Sequence, residues 1–104
     1  MMLNKQLANS LQAERDVFLQ VAQPCAFSHL PSETKYVDVY TSYRTVTNEF
    51  DDTKDREAIT IAEFLLDDGE FAQRQVFEVG SSRYMLTEPY EQNEVTVKYI
   101  VVSV

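Results

Sequence analysis

Glycine, proline and cysteine are scarce in this chain of 104 residues, at two, three and one. So little glycine and proline excludes a collagen-like or low-complexity polypeptide. The single cysteine, Cys25, excludes an internal disulfide and suits a reducing compartment. With one histidine, His29, the chain has too few nitrogen and sulfur donors for a structural zinc site, which normally takes four. No apolar run approaches the roughly 20 residues that cross a bilayer. The opening MMLNKQLANSLQAERD interrupts every apolar run with polar residues, unlike a signal peptide. Basic residues are outnumbered nine to seventeen, for a net charge of −8. A chain this acidic repels phosphate, so neither nucleic acid nor an anionic membrane is expected as a direct partner. The acidity serves solubility or a basic protein partner. GxGxxG, P-loop and GxSxG signatures are all missing, and no other catalytic motif stands out.

What is present is a core. Hydrophobic residues make up 44% of the chain, with six phenylalanines and six tyrosines. That is enough for one domain, spanning 1–104, around one modest core. Leu3, Leu7, Leu11 and Phe18 repeat at helical spacing, with Ala8, Leu19 and Val21 beside them and a wet face opposite. Pro24 disfavours helix at Gln23, so the helix is predicted over 3–20.

From there the pattern turns to strands. Residues 25–29 form a short one, and Pro31-Ser32-Glu33-Thr34 a turn. Residues 36–46 alternate clearly, with Val37, Val39, Thr41, Tyr43 and Thr45 on one face and Tyr36, Asp38, Tyr40, Ser42 and Arg44 on the other. TNEFDDTKDRE, 47–57, is charged and aperiodic and is predicted to be a flexible loop. Residues 58–66 are the next strand, in which Glu63 falls among apolar residues and implies a bulge, an edge or a strand end. Asp67-Asp68-Gly69-Glu70 is a turn signal. Residues 75–79 and 83–87 flank Gly80-Ser81-Ser82 as a hairpin. Glu88 to Asn93 link onward to a last strand, 95–103. Short links between consecutive strands favour antiparallel pairing. The expected fold is α+β, mostly β: an N-terminal helix packed on a small antiparallel β-barrel or sandwich of about five to six strands.

Each chemical constellation has a plain structural reading beside it. Cys25 and His29 share a strand face if the strand is regular. They lack a third orienting group, and a buried Cys with a strand-end His accounts for both. Asp51, Asp52, Asp55 and Glu57 could hold a hard cation. The EF-hand pattern is missing, and Lys54 and Arg56 offset the charge, so a solvated charged loop explains them. No catalytic, cofactor or metal site is assigned. The candidate contacts are a loop, Asn48, Glu49, Phe50, Asp51, Asp52, Lys54, Asp55 and Arg56, and a sheet face, Tyr36, Tyr40 and Arg44, whose amphipathic rings suit interfaces and sheet packing alike.

The arrangement resembles the lambda-type head–tail joining (head completion) proteins carried by tailed bacteriophages and prophages. The opening LANSLQAERDVFLQVAQPCAFSH is similar to that family's helix with an acidic residue and apolar pair leading into a strand. TNEFDDTKDRE falls where such proteins carry a mid-chain flexible loop, and VFEVGSSRYMLTEPYEQNEVTVKYIVVSV resembles their closing hairpin. The family often has a Gly-Asp turn before that hairpin; here the region reads Glu70-Phe71-Ala72-Gln73-Arg74-Gln75, with the glycine earlier, at Gly69.

The resemblance implies a non-enzymatic structural protein of virion assembly. It would be a monomer in isolation that forms a homo-oligomeric ring on the portal or connector and offers a surface to the tail. It would act in the bacterial cytoplasm during assembly and then at the virion neck. The residues alone leave a second reading open: a small cytoplasmic, mostly β binding module that docks a protein partner or a small ligand.

Overall fold

A computed structural model describes residues 2–47, 49–51 and 53–104, with side chains described from Ser10 onward outside the gaps. Helix α1 (Met2–Val21) is followed by six strands: β1 (Gln23–Phe27), β2 (Leu30–Thr47), β3 (Lys54–Leu65), β4 (Val76–Val79), β5 (Ser82–Gln92) and β6 (Thr96–Ser103). A single 3-10 turn, Leu66–Asp68, follows β3. The strands pair antiparallel throughout and close into a barrel in the order β1-β2-β3-β6-β5-β4. The predicted mostly-β α+β fold is the observed one.

Alternation along the strands decides what lies inside. Val37, Phe64 and Val97 face one another across β2, β3 and β6, and Ala62 faces Tyr99. These residues join Cys25, Phe27, Phe77, Val79, Leu86 and Val101 in one buried cluster. Phe27 lies within 5.7 Å, ring centroid to centroid, of Phe64, Phe71 and Phe77. Phe64 stacks on Phe71 at 4.5 Å. The barrel is therefore filled by its own aromatic side chains, as small barrels are.

Helix α1 ends where Pro24 forces it to. The chain turns directly into β1, with Gln23 opposite Val37. Phe18 is buried and Leu11 half-buried, while Leu19 and Val21 point to solvent. The side chains of Leu3, Leu7 and Ala8 lie outside the described residues. Arg15 pairs with Asp67 at 2.6 Å, which pins the helix to the barrel end where β3 finishes.

Four expectations are corrected. The first concerns the 47–57 loop. β2 runs to Thr47 and β3 starts at Lys54, with Arg44 opposite Glu57, Thr45 opposite Arg56, Val46 opposite Asp55 and Thr47 opposite Lys54. Charge alternation had concealed a strand: Lys54 and Arg56 take one face, Asp55 and Glu57 the other.

Glu63 is the second correction. It sits in regular register on β3, flanked by β2 and β6, and is neither bulged nor at an edge. Third, the turn after β1 is Ser28-His29, with Phe27 opposite Leu30. Pro31–Thr34 instead lie within β2, opposite the irregularity in the β1 pairing. Fourth, Glu88–Gln92 are not a linker. They continue β5 past two register shifts that absorb Pro89.

The Gly80 turn holds as expected. Val79 pairs with Ser82 across Gly80-Ser81, and Gly80 takes the left-handed φ of 58° that such tight hairpins require.

Candidate interaction surface

The outer face of the sheet carries the sequence-selected residues Tyr36, Tyr40 and Arg44, which β2 places on one side together with Asp38 and Ser42. Strand register extends that side across the barrel wall. Asp38 opposes Glu63, Glu63 opposes Lys98, and Lys98 opposes Glu91, a polar row over four strands. Next to it runs an apolar row: Tyr40 opposes Ile61, and Ile61 opposes Ile100. Ile59, Ile61 and Ile100 form a second small buried cluster with Tyr40 packed against it.

Arg44 closes the far end. Its Nε donates to Glu57 at 2.8 Å and its Nη1 to Glu88 on β5 at 3.0 Å. A side chain on β2 thus spans to β5, so this outer face curls inward as a groove lined by Arg44, Ile59, Thr87, Glu88 and Ile100.

The electrostatics of the row follow from its half-burial. Burial raises the Asp38 carboxyl above its ordinary value, and the nearby Glu63 charge adds to the effect. Burial and Glu63 also raise the Tyr40 phenol. Burial opposes the charge on Lys98, yet Tyr40, Glu63 and Glu91 together hold its ammonium above the usual lysine range. Thr96 donates to Glu63 Oε2 at 2.7 Å. One lysine thus stands among three carboxylates, leaving the row acidic.

The candidate loop residues resolve into an arm. Glu49, Phe50 and Asp51 sit at the tip of the β2–β3 hairpin; Lys54, Asp55 and Arg56 belong to β3. Asn48 and Asp52 lie outside the described residues. Every described residue from Tyr43 to Ala58 is exposed, and Phe50 is 99% exposed. Arg56 stacks on Tyr43 at 4.8 Å, and Thr53 donates twice to Asp51, holding that carboxyl below its ordinary value. The molecule measures 55 × 37 × 21 Å.

The chemistry considered for Cys25 and His29 does not assemble. β1 ends at Phe27, so His29 falls in an exposed turn, its ring edge-on to Phe27 at 5.6 Å. Cys25 faces the core, and its thiol is pushed up to about 12 by burial and by Asp68, against the opposing effect of Lys35. A thiol held protonated is a poor nucleophile. Sequence reasoning missed Lys35, which is 7% exposed. Its ammonium donates to the Asp68 carbonyl and lies 3.6 Å from Glu33, tying the 3-10 turn to the barrel mouth. A lysine at an inward β2 position (Lys35, Val37, Val39) was the available signal.

Among the described residues, no group of three or more His, Cys, Asp or Glu side chains converges as a metal site would require. Among them, too, no helix is long and apolar enough to cross a membrane. A groove of about 390 Å³ lies between α1 and the barrel, lined by Leu11, Gln12, Arg15, Leu66, Asp67, Glu94 and Val95. No family model and no curated protein matches the chain.

Proposed function

We propose that this chain is a structural assembly protein of a tailed phage or prophage, of the head–tail joining kind. It would dock on the portal or connector, close the filled head as part of a ring, and present a surface to the tail, without substrate turnover. It would do this in the bacterial cytoplasm during assembly and remain at the virion neck.

The observation that carries the reading is the pairing of a small filled barrel with a projecting two-stranded arm. The barrel interior is occupied by aromatic rings, and every described residue of the arm from Tyr43 to Ala58 is exposed. Such an arm is marginal alone and suits a protein completed by contacts with others. Net acidity fits a surface past which DNA moves without sticking, since it offers no phosphate neutralisation.

The test is light scattering coupled to size exclusion, on the chain mixed with a candidate portal protein from the same genome. A stoichiometric complex that Phe50→Ser and Arg56→Glu weaken supports the reading. Indifference to portal and tail proteins, or tight salt-sensitive binding of duplex DNA, sinks it.

The groove between α1 and the barrel favours one alternative, a small β binding module for a peptide or small ligand. In that case chemical-shift changes on ligand screening would centre on Leu11, Leu66 and Val95, and the arm would be silent.

A further inference from the structure

The two long edges of the sheet are treated differently. β1 occupies the side of β2 away from β3 only as far as Gln23 opposite Val37. Beyond that, from Asp38 to Thr47, no described strand pairs with this side. β5 likewise runs past β4, but its edge is interrupted by two register shifts and by Pro89. Proline and bulges are the usual means of keeping an edge single. β2 has neither. It pairs with β3 without a register shift from Val37 to Thr47, and Tyr36–Thr47 contains no Gly, Pro or Lys. The stretch DVYTSYRTVT is instead rich in β-branched and aromatic residues, which favour pairing.

We infer that this β2 edge pairs with the same edge of a second copy, antiparallel about a two-fold axis through Tyr43. The register follows from two constraints. A two-fold normal to the sheet sets outer residues against outer ones, so opposed residue numbers are both odd or both even. The partner strand ends at Thr47 and cannot run past Asp38, because Gln23 fills the side of Val37. The longest overlap meeting both conditions puts Tyr43 opposite Tyr43, Ser42 opposite Arg44, Thr41 opposite Thr45, Tyr40 opposite Val46 and Val39 opposite Thr47.

No like charges meet in that register. Its aromatic, aromatic–β-branched and Thr–Thr pairs are those that stabilise antiparallel sheets. Pairing converts two marginal two-stranded arms into one four-stranded sheet. A second copy is favoured over another protein's strand because the same few residues satisfy themselves under the symmetry. The inference stands apart from the assembly reading, and it differs from the expected monomer in isolation.

The experiment is light scattering with size exclusion on the full chain, from low micromolar to near millimolar. A concentration-dependent dimer is expected. Tyr43→Lys sets two ammonium groups on the axis and should weaken it by roughly tenfold, with an unchanged thermal transition of the barrel. Tyr43→Cys should be captured as a covalent dimer by a short bis-maleimide, because the buried Cys25 does not compete. Phe50→Ser, outside the paired span, should leave the dimer intact. A monomer at every concentration, a dimer indifferent to Tyr43→Lys, or failure of Tyr43→Cys to crosslink would each overturn the inference.

Discussion

Glu63 stands directly across the β3–β6 ladder from Lys98, and its two carboxylate oxygens are reached by the hydroxyls of Tyr40 and Thr96. An acid in an interior strand is tolerated because each oxygen has a donor and the facing residue is a cation. The Thr96 bond matters more. It is 2.7 Å long and Thr96 is 5% exposed, whereas the Tyr40 contact is 3.5 Å and weak. Glu63→Ala strands the buried Thr96 hydroxyl and should cost about 1–2 kcal/mol in urea unfolding. Adding Thr96→Val should recover part of that loss, since removing both partners costs less than removing one. A double mutant no more stable than Glu63→Ala would mean that the hydroxyl is satisfied some other way.

Asp38 is the weak point of the same row. It is half-buried beside Glu63, and neither a hydrogen bond nor an ion pair to its carboxylate is found among the described residues. Its carboxyl lies above the ordinary 3.8 because burial, then Glu63, disfavour its charge. The sign follows: the folded state holds this proton more tightly than the unfolded chain, so stability falls as pH rises from 3.8 through the folded value. Asp38→Asn should therefore raise the thermal midpoint by about 2 °C at neutral pH. The gain should vanish below pH 3.8, where both states of the parent are protonated. Calorimetry across that range checks it, and an equal gain at both ends would point to a cause other than charge.

How far the sequence revealed this depends on the residue. Helical spacing and Pro24 gave α1, and Gly80-Ser81 gave the closing hairpin, because single local rules act there. Local rules misled where partners lie far apart in the chain. Glu63 read as a defect until Lys98 and Thr96, on another strand, were placed beside it. Lys54-Asp55-Arg56-Glu57 read as loop because its alternation is one of charge sign. Only the opposition to Arg44–Thr47 makes it a strand. Tyr36, Tyr40 and Arg44 were rightly grouped on one face by parity alone. The span of Arg44 to Glu88 depends on sheet curl, which residue types do not encode locally.

Gly69 and Gly80 separate two uses of glycine. At Gly80, φ is 58° and an added Cβ meets nothing within 4 Å, so Gly80→Ala should cost only the left-handed penalty, about 1 kcal/mol. At Gly69, φ is 145° and an added Cβ would lie 2.8 Å from Lys35 Nζ, whose stem is buried and whose ammonium is tied to Asp68. Gly69→Ala should cost about 2–3 kcal/mol, combining strain with displacement of that lysine. Chemical denaturation of the two variants side by side tests this. Equal losses would show that the lysine tether moves freely.

Cys25 gives the alkaline counterpart to Asp38. Its thiol is pushed from 9.0 to about 12. Between those values the unfolded chain loses a proton that the folded chain keeps, so stability should decline as pH rises through that window. Tyr40 and Lys98, both raised, also weaken the fold in alkali, so the informative quantity is a difference between proteins. Cys25→Ala should be less stable than the parent at pH 7, because it leaves a small cavity in the aromatic core. That deficit should narrow steadily above pH 9 as the parent alone carries the cost of a thiol that cannot ionise where it sits. In the folded parent the same thiol should stay inert to a disulfide reagent at pH 8 until denaturant is added. Prompt labelling without denaturant, or a deficit constant from pH 7 to 11, would place Cys25 in water and outside the barrel.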